Sequence, residues 1–376
     1  MAALDDYLRA MVEQKASDFH LTSGTYPMFR ISGTITPVSD QIFTTDIVKG
    51  LIYEVLPERN RVEWEKSHDT DFAYEIEGVA RYRCNVFQTK DGIGGNFRLI
   101  PSKILGFQEL NLPDSLKKLC FLTKGLVLVT GPTGSGKSTT LAALVDFINE
   151  NRTDHIITIE DPIEYVHPHK KCLVNQRQVH VHTESFKRAL RAALREDPDI
   201  VLVGEMRDLE TIMIALETAE TGHLVFGTLH TTTAPGTIDR LINQFPAGQQ
   251  QQVRVGLAEG LKGVVAQTLC RKKGGGRIAA LEILMSSAAL GAYIREAKIH
   301  QIPMLIQTGR KEGMCALNDT LLDYVARDLV DPVEAYQKAV DKNDLIKRMG
   351  ALPNIRSPKG QPWTEEELVK ASAEAG

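Results

Sequence analysis

Residues 126–139 read Leu126-Val127-Leu128-Val129-Thr130-Gly131-Pro132-Thr133-Gly134-Ser135-Gly136-Lys137-Ser138-Thr139. The stretch opens with a short apolar run, and residues 131–138 fit the pattern G-x-x-x-x-G-K-[ST]. A helical apolar pattern follows at once, at Leu141, Leu144, Val145 and Ile148. A strand, a glycine-rich loop and a helix in this order predict a phosphate-binding loop, because loop N–H groups and the helix N-terminus attract phosphate oxygens.

Two side chains of this loop have expected chemical roles. Lys137 is predicted to bridge the β- and γ-phosphates of a nucleotide, and Ser138 to ligate Mg²⁺. Residues 131–139 together form the predicted nucleotide-binding segment. The alternative is a glycine-rich turn that carries a solvated lysine.

The texture of the chain changes near Lys124 and indicates two domains. Residues 1–100 are predicted to form an α+β module of short strands and helices, followed by a linker at 101–115. Residues 116–350 alternate apolar strands with helices, which is typical of an α/β domain with a parallel sheet. Residues 351–376 form a proline-punctuated tail, where Thr364 and Glu367 have capping-box spacing.

Carboxylates follow two strands of the predicted parallel sheet. Glu160 and Glu164 come after one strand, and Glu205 ends another strand beside Gly204. Ligands bind at the carboxyl edge of such sheets, and phosphate hydrolysis needs carboxylates to hold Mg²⁺ and to activate water. Glu205 is assigned to the Mg²⁺ shell, and Glu164 or Glu160 to water activation. The alternative interpretation is a turn followed by solvated strand ends.

Histidines and arginines supply further candidates. His223 and His230 lie at the two ends of another apolar strand, and His230 could contact the γ-phosphate, although a lone histidine is more often structural. Arg83 and Arg98 lie on predicted strands of the first domain. They could form a solvated face, or their guanidinium groups could stabilise the charge of a transferred phosphoryl group.

Composition sets limits on the partners. The 376 residues carry 44 basic and 48 acidic side chains, a formal net charge of −4, so no overall positive field favours nucleic acid. No apolar run is long enough to span a bilayer and the start does not resemble a signal peptide, so a cytoplasmic protein is expected. Five dispersed cysteines suggest buried thiols rather than disulfides or a zinc site.

Four segments, GPTGSGKST, ITIEDPIEY, LVGEMRD and TGHLVFGTLHT, occur in this order. Together they resemble the secretion-superfamily hexameric ATPases, specifically the type IV pilus retraction (twitching-motility PilT) family. The resemblance runs from about Leu4 to Gly350. It implies a PAS-like N-terminal domain, a RecA-like P-loop ATPase domain, a homohexamer, and ATP with Mg²⁺ as ligands.

The same resemblance implies roles for individual residues. Residues 159–164 match the family's Asp box, and residues 202–205 match the Walker B segment. Residues 221–231 match the His box, which contains His223 and His230. Arg83 and Arg98 match the arginines that approach the nucleotide from the N-terminal domain.

The implied function is ATP-driven pilus retraction at the inner-membrane base of the pilus machine, with a pilus platform protein as partner. The longer N-terminal extension and tetracysteine module usual in assembly motors are missing, which favours retraction. One departure is Gly291-Ala292, where the family usually has Arg-Asn. The alternative is therefore an accessory paralogue that binds nucleotide and assists an active retraction ATPase. A nucleic-acid translocase is not favoured by the net charge.

Overall fold

The computed structural model describes residues 3–31, 33–100, 103–352 and 354–374. The chain divides into two compact units. The first comprises Met1–Lys103 with the short segment Glu164–Val166, and the second comprises Ile104–Ile163 with His167–Gly376.

The first unit contains an antiparallel sheet with helices packed on one face. The strand order is β3-β2-β1-β6-β5-β4. The elements, in chain order, are α1 (Ala3–Glu13), β1 (Ala16–Thr22), β2 (Met28–Ile31), β3 (Thr34–Pro37), α2 (Thr45–Val55), α3 (Glu58–Ser67), β4 (Asp69–Ile76), β5 (Ala80–Thr89) and β6 (Gly92–Ile100). Helix α1 is amphipathic, and its Leu4, Leu8 and Met11 are fully buried in the core of this unit.

The second unit is built on a seven-stranded sheet of order β13-β12-β7-β11-β10-β8-β9. Neighbouring strands are parallel except for the antiparallel pair β12 and β13. The strands are β7 (Gly125–Thr130), β8 (His155–Glu160), β9 (Leu173–Gln178), β10 (Ile200–Val203), β11 (Leu224–Leu229), β12 (Leu261–Arg271) and β13 (Arg277–Met285). All four residues of β10 are buried, as its continuous apolar sequence predicts.

Helices surround this sheet and extend the chain beyond it. They are α4 (Lys117–Cys120), α5 (Lys137–Asn151), α6 (Phe186–Ala193), α7 (Leu209–Glu220), α8 (Ala234–Asn243), α9 (Ala247–Gly260), α10 (Ala288–Arg295), α11 (Ile302–Thr308), α12 (Leu317–Ala326), α13 (Pro332–Lys338), α14 (Lys342–Gly350) and α15 (Glu365–Glu374). Single 3₁₀ turns lie at Asp114–Leu116, Ile299–Gln301 and Gly309–Glu312.

Helix α15 in the described part of the tail packs against a further apolar cluster, to which α12–α14 and the ends of β12 and β13 contribute. Leu368 of α15 is fully buried in this cluster. The predicted capping box is confirmed: Thr364 N donates to Glu367 Oε2, and Glu367 N donates to Thr364 Oγ1, each at 3.3 Å.

The predicted fold class is confirmed, because an α+β unit with an antiparallel sheet precedes an α/β unit with a largely parallel sheet. The segment expected to be a linker differs in detail. Phe107 and Leu112 are buried in the main core of the second unit, so the chain joins that unit from Ile104 onward. Their apolar side chains explain the difference, since proline and glycine nearby do not prevent packing.

Candidate active site

The carboxyl edge of the second sheet gathers the ends of four strands. In the β7–β11 pair Thr130 lies opposite Leu229, and in the β10–β8 pair Val203 lies opposite Ile159. The chain therefore leaves the sheet on this one edge at Gly131, His230, Gly204 and Glu160. This is the edge at which ligands bind in open α/β sheets.

The loop after β7 has the backbone of an anion site. Gly131, Gly134 and Gly136 have φ angles of 150°, 76° and 86°, which side chains other than glycine rarely adopt. Gly136 is the N-cap of the 15-residue helix α5, so no side chain caps the first N–H groups. The first turn of α5 also lacks acidic residues. These features fit a bound phosphate, because uncapped N–H groups and the helix dipole favour negative charge.

Lys137 lies against this loop. Its Nζ donates to the carbonyl oxygens of Gly131 at 2.8 Å and Pro132 at 3.2 Å. The ammonium group is thus tied to the start of the loop, unlike the solvated lysine of the alternative interpretation. Ser138, in the first turn of α5, is half-buried.

Glu205 is the centre of a charged cluster directly after β10. Its Oε1 lies 2.8 Å from Nε2 of His230 and its Oε2 lies 2.6 Å from Nη2 of Arg207. Burial alone would raise the pKa of Glu205, but the ion pair with Arg207 and the contact with His230 hold that pKa below its ordinary value. An ionised carboxylate can only accept hydrogen bonds, so Nε2 of His230 carries the proton in this contact.

Glu160 ends β8 and is hydrogen-bonded along its own strand pair. Its Oε1 accepts from Thr158 Oγ1 at 2.6 Å and from Gln176 Nε2 at 3.2 Å. The Asp161–Pro162 peptide bond that follows is cis. The chain then reaches Glu164, whose segment belongs to the first compact unit.

Not every predicted residue reaches the edge that carries the loop. His223 precedes β11, and its carbonyl accepts from the N–H of Gly125 at the start of β7. Because β7 and β11 are parallel, His223 lies at the opposite, amino-terminal edge of the sheet. Its ring Nδ1 lies 3.1 Å from the carbonyl oxygen of Thr218. His223 therefore does not lie at the edge that carries the phosphate loop, and its catalytic role stays a prediction.

The two arginines of the first unit lie side by side. Arg83 on β5 is paired in register with Arg98 on β6, and both are exposed because their strand neighbours Tyr82 and Phe97 fill the core face. Nε of Arg98 lies 2.8 Å from Oδ1 of Asp18, which is 4% exposed. Their approach to a nucleotide stays a prediction.

Two charged residues were not predicted from the sequence. Arg207 forms an ion pair with Glu205, and Asp18 forms one with Arg98. Arg207 had an available signal, since it lies two residues after an acid that ends a strand. Asp18 had none, because 80 residues separate it from Arg98.

A parallel sheet whose carboxyl edge carries this loop, an acid and a histidine defines a P-loop nucleoside triphosphatase with RecA-like strand order. The sequence-family model described as type II/IV secretion system protein matches residues 2–277. The chain belongs to this family.

Individual relatives narrow the comparison. The chain is 50% identical over 336 residues to the type IV pilus retraction ATPase PilT of Pseudomonas aeruginosa, covering 89% of this chain and 98% of that protein. It is 37% identical to the type IV pilus ATPase PilU of the same organism, covering 90% and 89%. A crystal structure described as the pilus retraction motor PilT with bound ADP is similar with a TM-score of 0.86, at 45% identity, covering 92% of this chain and 99% of that one.

Proposed function

We propose that this protein is an ATP-hydrolysing motor that powers type IV pilus retraction and hence twitching motility. The observation that carries the proposal is the 50% identity to a retraction ATPase over nearly its whole length. The phosphate loop and Glu205 cluster at one sheet edge supply the matching chemistry. The accessory-paralogue alternative is less favoured, since identity to PilU is 37%.

The chain's own residues divide the work of hydrolysis. Backbone N–H groups of residues 131–139 would hold the phosphates, and Lys137 would exchange its loop carbonyls for phosphate oxygens. Glu205 would orient water and other Mg²⁺ ligands near the γ-phosphate. His230, which contacts this carboxylate, would respond to changes in its position or charge. Glu160 and Glu164 remain the two candidates for activating the attacking water.

We assign the Mg²⁺ site to Ser138 and Glu205. Hydroxyl and carboxylate oxygens are the ligands Mg²⁺ prefers, and Mg²⁺ usually takes its other ligands from phosphates and water. Within the described residues no group of three or more His, Cys, Asp or Glu side chains could hold a metal, which suits an ion carried largely by the nucleotide. Bound there, Mg²⁺ would neutralise charge developing on the phosphates.

The remaining assignments concern assembly. We propose a homohexamer in the cytoplasm, peripheral at the inner-membrane base of the pilus, with a platform protein and a paralogous retraction ATPase as partners. Arg83 and Arg98 would supply positive charge to the phosphoryl group. Among the described residues no helix has the length and apolarity to cross a bilayer.

The departure at Gly291 has a local explanation. Gly291 is buried in α10, and a Cβ there would lie 3.2 Å from the carbonyl oxygen of Ala258 in α9. The two helices approach closely, and a side chain at 291 requires this contact to give way by a few tenths of an ångström. Restoring Arg and Asn at 291 and 292 therefore tests packing as well as function.

ATP turnover of the purified protein tests the chemistry. Lys137→Ala and Glu205→Ala should each lower turnover by about a hundredfold or more. Lys311→Ala, an exposed lysine far along the chain, is the control and should leave turnover unchanged. Wild-type-like turnover in both site variants would sink the assignment. Rescue of pilus retraction in a strain lacking its retraction ATPase tests the cellular role, and failure to rescue would favour the accessory alternative.

A further inference from the structure

One buried amide lies against the phosphate loop from a neighbouring strand. Strand β12 pairs with β7 as far as Ala266 opposite Thr130, and then continues past the point where the loop begins. Gln267 is the next residue and is 2% exposed. Its Nε2 donates to the carbonyl oxygen of Ser135 at 2.6 Å, across 132 residues of chain.

The loop is packed tightly onto this position. A Cβ on Gly131 would lie 2.3 Å from the backbone oxygen of Gln267, and a Cβ on Gly136 would lie 3.3 Å from its Nε2. The backbone of Gln267 is itself fixed, because it pairs with Leu281 of β13. The loop therefore rests on a rigid strand rather than on solvent.

The hydrogen bond has a directional consequence. In a planar trans peptide the carbonyl oxygen and the N–H hydrogen point in opposite directions. Because Gln267 holds the Ser135 oxygen on the β12 side, the N–H of Gly136 in the same peptide faces away from β12. A loop N–H group that faces away from its supporting strand can contribute to an anion-binding concavity of backbone N–H groups.

We propose that Gln267 is a positioning residue for nucleotide binding, which fixes the Ser135–Gly136 peptide with its N–H directed at the phosphate. This inference rests on the proposed nucleotide-binding function. It assigns a role to a residue that lies outside the loop motif and contacts it only through the fold.

Three variants test the role. Gln267→Met keeps the length and removes the donor, so the Kd for ADP and the KM for ATP should rise about tenfold, while kcat changes less than KM. Gln267→Glu places an acceptor against the Ser135 carbonyl and should bind more weakly still at neutral pH. Val264→Ala, an equally buried apolar site on the same strand, is the matched control and should leave KM unchanged.

The pH dependence of ADP affinity in Gln267→Glu distinguishes a positioning role from simple destabilisation of the fold. A protonated carboxyl can donate a hydrogen bond, so the ratio of its ADP affinity to that of the wild type should rise as the pH falls. Binding is measured by titration with a fluorescent ADP analogue, with thermal unfolding as a check on folding.

The outcomes separate the two levels of the argument. If the wild type binds no nucleotide, the proposed function fails. If the wild type binds and folded Gln267→Met binds equally well, the positioning role alone is overturned. Should Gln267→Met fail to fold, a pH-independent affinity ratio for Gln267→Glu overturns the role in the same way.

Discussion

Replacing Gly131 by alanine should damage nucleotide binding far more than the same change at Gly134. At Gly131 the new Cβ would lie 2.3 Å from the backbone oxygen of Gln267 and 2.5 Å from Ser135 Oγ. Cβ contacts below 3.0 Å are essentially never found, and the oxygen belongs to a paired strand, so the loop must move. A shift of roughly 1 Å in groups that position a substrate costs about a hundredfold in rate.

Gly134 is the matched control within the same loop. It also has a positive φ, of 76°, but a Cβ there meets nothing within 4 Å. Its alanine variant should therefore carry only the backbone strain of about 1–2 kcal/mol expected for a left-handed residue. That strain corresponds to a loss of affinity of about 5- to 30-fold.

The assay compares both variants with the wild type in ATP turnover and in ADP binding, with circular dichroism and thermal unfolding as evidence of an intact fold. Gly131→Ala should lose about a hundredfold in kcat/KM and Gly134→Ala about thirtyfold at most. Equal losses in the two variants would refute the argument, because strain common to both glycines would then outweigh the close approach of β12.

Three further changes have expected results. Arg207→Ala removes an ion pair that lowers the pKa of Glu205, so that pKa should rise. Because the carboxylate acts when ionised, the turnover–pH profile of this variant should lose activity at a higher pH than that of the wild type as the pH falls. Arg207→Lys keeps a positive charge and should shift the profile less. Asp18→Asn removes the negative charge that pairs with Arg98. This variant should lower kcat for ATP more than it changes ADP affinity, and an unchanged kcat would contradict a role for the pair. Leu368→Ala should weaken the packing of α15 by about 2–5 kcal/mol, because this leucine is fully buried. Amide hydrogen exchange in α15 should become faster while ATP turnover stays unchanged. Unchanged exchange would show that the packing of α15 does not depend on this side chain.

Much of the fold was predictable because local patterns and burial agree. The strands before the phosphate loop and before Glu205 are continuous apolar runs, and each lies in the middle of the sheet. Helix α3 and strand β9 were not predicted. Strand β9 lies at the sheet edge and ends in four consecutive polar residues, and α3 contains no buried residue, so neither carries a strong apolar signal.

The candidate site also contains residues that local sequence patterns identify and residues that they do not. The loop glycines, Lys137 and the strand-ending Glu205 are recognisable because their geometry is set by residues adjacent in sequence. His223 and His230 were expected at the two ends of one strand, and the register of β11 against β7 places His223 at the edge away from the loop.

What sequence could not provide is the support behind the site. Gln267 holds the loop and Asp18 pairs with Arg98, and each of these two residues lies 80 or more positions from its partner. Each acts through one hydrogen bond or ion pair whose existence depends on strand order and register. A motif therefore states which atoms contact phosphate, while the sheet determines whether those atoms are held in the orientation that binding requires.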